Sequence, residues 1–534
     1  MRRNRQKGMG KEMGKRDALR RRVVLALGAL IYATLYALCS QIDETGTIAW
    51  GTAAVRFAIA LPVALAALLL LMRYALPRIE MKPDEKQKKP FCTWGAFAFI
   101  LCCYVPMFLI WYPGTFSYDT AYQVRQCIDI PYDTYQPLLH TLLLHFAISF
   151  IDLFESMELC AALYSAVQMT LVAFCFSQVC ASLSRSVSRS AARLTMLFFG
   201  LYPSHMVFAC SCTKDVLFSA FLAVFLALCF EELACGLTRR RRVLQAVGGI
   251  LACLLRNNMV YAMIVWVVIL LLARRAYWRV ALCAALSILL ALGVNAGLKA
   301  LTHAGPGRAV EMFSVPIQQL ARVRLYAPEK LSPQELEVID TVFAGEVFQH
   351  YKPTISDPVK DKIVGAVFED RLPDFLKTWL AVGVKCPTLY LEAFLSLALP
   401  SLYPYRTYQV AQPYIELGGD VNMTMFFGLP RFVRPRRFAA AREWLERIFS
   451  TGADDVPVVR WLFNTGFIYW LLLLFVLYDM YCGRWKRVLL CALPVLLWGT
   501  YLLGPVMQGR YLYPFVCMLP LFVIRRREAD APAA

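Results

Sequence analysis

The chain has 534 residues, of which 59% are hydrophobic and only 17% charged, and its mean hydropathy is +0.52. Such a composition excludes a large soluble core, and several apolar runs are long enough to cross a bilayer. The formal charge of +19 does not mark a nucleic-acid groove, because Lys and Arg fall in short clusters between apolar runs, as in cytoplasmic loops.

Those clusters are Arg2 to Arg22, Arg73 to Lys89, Arg185 to Arg193, Arg239 to Arg242, Arg274 to Arg279, Arg484 to Arg487 and Arg525 to Arg527. Taken as cytoplasmic markers, they define a path. A first span over 22–40 follows a basic leader; it lacks a small-residue cleavage site, so it is read as a retained helix rather than a signal peptide. A second span over 52–72 returns, and a third over 91–111 delivers the polar loop 112–136 to the external face. That loop holds Asp119, Gln123, Arg125, Asp129 and Asp133. The apolar stretch 138–153 is short and is followed by Asp152, Glu155 and Glu158. It is read as lying at the outer interface, because only then do the later basic loops fall inside.

Spans follow at 159–183, 192–208, 215–235, 243–255, 258–273 and 279–300, with a polar break at Arg256-Asn257-Asn258. Residues 303–460 form an external region with a helix start at Ser332-Pro333-Gln334-Glu335. In that region, 382–402 is apolar but broken by Pro387, Glu392 and Pro400, and is expected to pack at the interface. Closing spans lie at 461–481, 487–504 and 511–524. The expectation is an all-α polytopic membrane protein with about twelve helices and both termini cytoplasmic. Four parts result: a cytoplasmic tail and two-helix hairpin (1–90), a transmembrane core (91–302) carrying the external loop 112–158, an external region (303–460) and a three-helix end (461–534). No internal repeat or low-complexity tract appears.

The 18 cysteines lie mostly inside apolar segments, where Cys behaves as a small hydrophobe. No CxxC has a matching His or Cys pair, so structural zinc is not expected. His140 and His145 are five apart and do not share a helix face as i,i+4 ligands do.

On this path polar residues at span ends collect on the external side: Asp119, His140, Lys214-Asp215, Arg256-Asn257, Gln318 and Arg510. Each has an ordinary role open to it. Asp119 fits a solvated turn, Lys214-Asp215 a helix cap with Asp complementing the dipole, and Arg510 a snorkelling side chain. Their convergence on one face is the pattern of a cavity lining. Trp111, Tyr112, Tyr118 and Tyr122 suit either sugar stacking or an aromatic belt, with the belt preferred for Trp111 and Tyr112.

The order of parts resembles the GT-C superfamily of integral membrane glycosyltransferases that use polyprenyl-phosphate-linked sugars. The motifs carrying the resemblance are Asp119 in SYDTAYQ, Gln136-Pro137 before LLHTLLLH, and Arg510-Tyr511-Leu512-Tyr513-Pro514. The chain is also similar to an uncharacterised group of Gram-positive bacterial membrane proteins with PG-x-x-x-x-D, TKD and RNN elements, here Pro113-Gly114 with Asp119, Thr213-Lys214-Asp215 and Arg256-Asn257-Asn258. It departs from the superfamily in having Tyr118 before Asp119 and Gln136 before Pro137. The resemblance implies a polyprenyl-phosphate-sugar donor, membrane lipids as surroundings and Asp119 as catalytic base. No position matches a metal ligand, so a mechanism without metal or other cofactor is expected.

Sugar transfer requires a base for the acceptor hydroxyl, and partial desolvation is expected to raise the basicity of Asp119. The leaving phosphate requires a fixed cation: Arg510 first, with Lys214 and Arg256 beside it. Tyr118, Tyr122, Gln123, His140, Asp215, Asn257 and Gln318 are expected around the substrate. The alternative is a transporter or a lipid or glycolipid flippase with the same groups along a path. A flippase usually shows a repeat and midplane charges, neither visible here.

Overall fold

The computed structural model describes residues 2–82, 91–116, 118–343, 346–405, 428, 431–450 and 464–527, without the side chains of 2–13, 118, 346, 449 and 450. The N-terminal hairpin is α1 (Arg2–Thr45) and α2 (Trp50–Leu70), then α3 (Thr93–Ile110). Next come α4 (Tyr118–Ile128), α5 (Leu138–Ile148) and α6 (Ile151–Phe154). The central bundle adds α7 (Met157–Ser186), α8 (Arg189–Leu201), α9 (Pro203–Cys210), α10 (Lys214–Cys235), α11 (Arg239–Leu255), α12 (Asn257–Ala273) and α13 (Trp278–Thr302). A helical lobe holds α14 (Ser314–Tyr326), α15 (Pro333–Phe343), α16 (Asp357–Lys360), α17 (Gly365–Asp370), α18 (Leu372–Lys385) and α19 (Pro387–Leu402). After α20 (Ala439–Ser450) the chain closes with α21 (Thr465–Cys482), α22 (Trp485–Leu502) and α23 (Gly509–Val523).

The described residues form no strands, only isolated bridges, so the all-α expectation holds. Seven helices among them are long and apolar enough to cross a membrane, or eight if the bent pair α18–α19 counts as one span. The protein is therefore a helical membrane protein by length and composition, with fewer unambiguous spans than the sequence reading predicts. The difference lies in short helices: α12 and α23 are apolar but shorter than the rest, and α11 opens on four arginines.

Local chemistry sets the helix ends. Ser156 caps α7, Ser188 caps α8 and Asn464 caps α21, each side chain accepting from a first-turn N–H. At Gly483 the backbone is left-handed and closes α21. Ser332 and Glu335 form the expected reciprocal cap on α15, at 3.3 and 2.8 Å.

Three expectations are corrected. Part of the loop 112–136 is a helix, α4, whose Thr120, Ala121, Gln123 and Val124 are fully buried. The single span over 192–208 is two helices, because Tyr202 is extended and Pro203 starts a new one. The segment 382–402 breaks at Cys386-Pro387, where the helices bend by 108°, and α19 is largely buried against α1, α14 and α21 rather than lying on a surface. The stretches 406–427 and 451–460 of the region read as external lie outside the described residues.

α10 is the axis of the bundle: Lys214 to Cys229 is almost wholly buried, with α7, α11 and α23 around it. The lobe has its own core around Ile317, Val342, Phe343, Phe368 and Phe375. It is pinned to the bundle by Thr134 N–H to Gly305 O at 3.0 Å and by Ser356 N–H to Pro505 O at 2.9 Å, while inside it the buried Arg322–Glu392 pair joins α14 to α19 at 2.8 Å. Glu392 accepts in turn from the Ile48 amide in the α1–α2 turn at 2.7 Å.

Candidate functional site

The site is assembled by a short backbone splice. At Pro113-Gly114 the chain leaves α3, and Gly114 sits at φ +118°, where a Cβ would collide with Ser165 Oγ and lie 3.2 Å from Cys210 O. The next residue, Thr115, donates its N–H to Cys210 O and accepts from Cys212 N–H, both at 2.9 Å. Thr120 Oγ1 donates to Cys212 O one helical turn further on. This splice brings the start of α4 beside the start of α10, and so brings Asp119 to Lys214. Thr213 caps α10 by accepting from Asp215 N–H at 3.4 Å. The cap residue is thus Thr213, and Asp215 stands in the first turn of α10.

Five charged groups from four elements then line up as an alternating chain. Lys214 Nζ donates to Asp119 Oδ2 at 2.5 Å and Arg510 Nη1 donates to the same oxygen at 2.6 Å. Arg510 Nε lies 3.8 Å from Asp215 Oδ2, and Arg256 Nη1 donates to Asp215 Oδ1. Arg510 comes from the first turn of α23, and Arg256 from the extended residue between α11 and α12. The rings of Tyr501 and Tyr511, packed together 5.3 Å apart, each lie with their centroid 4.6 Å from the Arg256 guanidinium. Lys214 also donates to Gln136 Oε1 at 2.5 Å.

All five are buried, at 0–9% exposure. Three cations face two carboxylates, so the cluster carries one net positive charge. Burial alone would raise the Asp119 pKa, but Arg510 and Lys214 outweigh it and hold the carboxyl below the usual carboxylate range. The expectation that desolvation makes Asp119 a stronger base is therefore overturned for the free protein. One detail keeps the carboxylate open: both cations bind Oδ2, while no described residue donates to Oδ1, and the side chain retains 12% exposure.

Other expected residues have different duties. Gln123 and His140 are fully buried and bonded to each other (Nδ1 to Oε1, 2.8 Å), with Tyr164 OH on His140 Nε2 at 2.7 Å and Thr141 on the Gln123 amide at 2.8 Å. They fix α4 against α5 and α7 rather than facing a substrate. Burial depresses the His140 pKa to about 3, so the ring is neutral at ordinary pH. Tyr122 donates to Asp133 and stands edge-on to Tyr135, centroids 5.9 Å apart. Gln318 lies in the lobe, donating to Lys352 O at 2.5 Å, and among the described residues no hydrogen bond joins it to the cluster. Asn257 is exposed, and the side chain of Tyr118 lies outside the described residues. Trp111, expected in an aromatic belt, is 1% exposed in the core.

Residues that sequence reasoning passed over complete the site. Tyr135, 39% exposed and edge-on to Tyr122, has its hydroxyl pKa pushed up by desolvation and by the nearby Asp119, Glu311 and Asp357 carboxylates. Arg434 donates to Trp111 O at 2.7 Å, Tyr112 O at 3.3 Å and Gly114 O at 3.2 Å, bracing the turn before Asp119. Tyr135 and Gln136 lie at the end of the loop 112–136, Gln136 in the Gln136-Pro137 motif itself; Arg434 carries no local signal. Among the described residues no group of three or more His, Cys, Asp or Glu is placed to hold a metal.

A buried cluster of three cations and two carboxylates, built from separate helices of a membrane bundle, is a class of site that structural packing alone does not require. Residues 132–533 match the family described as "Family of unknown function (DUF6020)", and the chain belongs to that family. Lys214, Asp215, Arg256 and Arg510 lie inside the matched stretch; Asp119 lies before it. No curated protein and no solved structure matches the chain.

Proposed function

We propose that this protein is an integral membrane glycosyltransferase that moves a sugar from a polyprenyl phosphate to an acceptor hydroxyl at the non-cytoplasmic face, with inversion. What supports this most is the Asp119 carboxylate, held by two cations on Oδ2 while Oδ1 is open. The acceptor oxygen bonds to the anomeric carbon as the bond to the phosphate oxygen breaks. The proton passes to Asp119 Oδ1, and the electron pair leaves with the lipid phosphate, facing Arg510 and Lys214.

In the free protein those cations are neutralised by Asp119 itself. An arriving phosphate competes for them, which loosens their hold on the carboxylate and returns its basicity when the acceptor is in place. Arg256, beside two packed tyrosines and paired to Asp215, keeps the second carboxylate occupied so that Arg510 can turn to the phosphate. On the positive-inside rule the basic loops lie in the cytoplasm, both termini with them, in a cell-membrane protein of about twelve helices. No metal enters this scheme.

The test uses purified protein in lipid with radiolabelled polyprenyl-phosphate sugars. Asp119→Asn should lower transfer by about 10²–10⁴-fold, the range of a lost general base. It should also bind polyprenyl phosphate about tenfold tighter, because a competing anion has gone from beside the two cations. Retained transfer sinks the base assignment, and weakened phosphate binding sinks the exchange.

The rival, a transporter or flippase, draws on the helix breaks at Tyr202–Pro203 and Arg256, since discontinuous helices frame many transport sites. It predicts movement of intact lipid-linked sugar across vesicles without turnover.

A further inference from the structure

At the opposite end of the bundle from Asp119 a cavity of about 830 Å³ opens between α7, α10, α12, α22 and α23. Six cations line it: Arg274, Arg484, Lys486, Arg487, Arg525 and Arg526. Its remaining wall is apolar, with Leu183, Phe230, Leu233, Leu489 and Leu521. Two carboxylates serve three of the cations. Asp479 lies 2.9 Å from Arg525 and 3.1 Å from Arg487, and Glu80 lies 2.7 Å from Arg484. These pairs make a fixed scaffold, further tied by Met81 N–H to Arg525 O at 2.8 Å. Arg274, Lys486 and Arg526 are exposed, and no carboxylate among the described residues lies within ion-pair reach of them. Among the described residues the cavity thus holds an excess of positive charge.

We infer that this cavity binds the phosphate headgroup of an acidic glycerophospholipid of the cytoplasmic leaflet, with an acyl chain along its apolar wall. Three features converge on that occupant. The cationic excess calls for an anion, and guanidinium groups suit phosphate oxygens. The Leu and Phe wall suits a hydrocarbon chain, whereas a free anion would leave that wall facing water. The cavity lies where the basic loops meet the helix ends, the level at which leaflet headgroups sit under the positive-inside rule. The site is separate from the Asp119 cluster, and the inference stands whether or not the transferase proposal does. Its consequence is a lipid that fastens α10, α12, α22 and α23 together at one end while the charge cluster joins α10, α23 and the start of α12 at the other.

Native mass spectrometry of the delipidated full-length protein in neutral detergent tests it, with phosphatidylglycerol, phosphatidylcholine of the same chains, and inorganic phosphate as probes. Phosphatidylglycerol should bind at least about tenfold more tightly than phosphatidylcholine, and the triple variant R274E/K486E/R526E should lose about tenfold or more of that affinity. The milder pair K486Q/R526Q should lose a smaller share with an unchanged melting temperature, which keeps the test valid if the triple variant folds poorly. Equal binding of the two lipids overturns the inference, as does indifference of both variants. Complete displacement of phosphatidylglycerol by about 10 mM inorganic phosphate would make this a soluble-anion site and overturn the lipid assignment.

Discussion

Arg256 stands where two helices would otherwise be one. Its backbone is extended at φ −152° and ψ 114°, which ends α11 and starts α12, and its guanidinium is 8% exposed. A buried cation in that position is tolerable only with its partner, here Asp215 and two aromatic faces. Truncating one member of a buried pair costs about 3–5 kcal/mol, because the other charge is left uncompensated. Arg256→Ala should therefore lower the thermal midpoint of the detergent-solubilised protein markedly, while Arg256→Met with Asp215→Leu should recover most of the loss. Failure of the double variant to recover would mean that the contacts of Arg256 with Tyr501 and Tyr511, rather than the charge pair, hold the break. The sequence shows Arg256, Lys214 and Arg510 as charges at span ends, and that much is legible because apolar surroundings make each conspicuous. Their pairing is not legible. Asp119 and Arg510 meet across a separation of 391 residues, and nothing local to either records it. The same holds for Gln123 and His140, which look like polar site residues from sequence yet satisfy one another in the packing.

α4 shows why an element can be missed. Its residues read YDTAYQVRQCI, a polar string after a Pro-Gly turn, and its buried face is made of small or polar side chains (Thr120, Ala121, Gln123, Val124) rather than large apolar ones. A short helix of low overall apolarity that packs through hydrogen bonds, such as Thr120 to Cys212 O and Gln123 to Thr141, resembles a loop. Spans such as α7, α10 and α21 are by contrast plain in the sequence, because their length and apolarity follow from the bilayer alone. What carries α4 into place is the turn before it. Gly114→Ala would put a methyl group against Ser165 Oγ and Cys210 O at a φ that L-residues avoid, with a strain of about 1–3 kcal/mol. Proper folding with a displaced Asp119 is the expected outcome: transfer reduced well beyond the loss of stability, which parallel turnover and thermal-melt measurements on the same preparation would show. An unchanged rate would mean that α4 is positioned by Arg434 and the Gln123–His140 contact alone.

At the scale of the molecule, charge is sorted between two ends. One end holds the buried alternating cluster, overhung by the lobe that Thr134, Gly305, Ser356 and Pro505 tie down. The other end gathers Arg185, Arg241, Arg487 and Arg525 around Glu231 and Asp479. Such a distribution costs little in a bundle that spans a membrane, and under the positive-inside rule it is the basis for the proposed orientation, with the Lys- and Arg-rich loops in the cytoplasm. The proposed chemistry depends on that orientation, because the charge cluster must open on the face away from the basic loops. Replacing the exposed Cys92, Cys102 and Cys235 with serine gives a background for sidedness labelling. In it, a cysteine at Lys330, exposed on the lobe, should react with a membrane-impermeant maleimide in intact cells. One at Arg240, exposed beside α11 at the basic end, should react only after permeabilisation. The reverse pattern would place Asp119 in the cytoplasm, where a base serving an external acceptor has no substrate, and the transferase proposal in this form would fall with it.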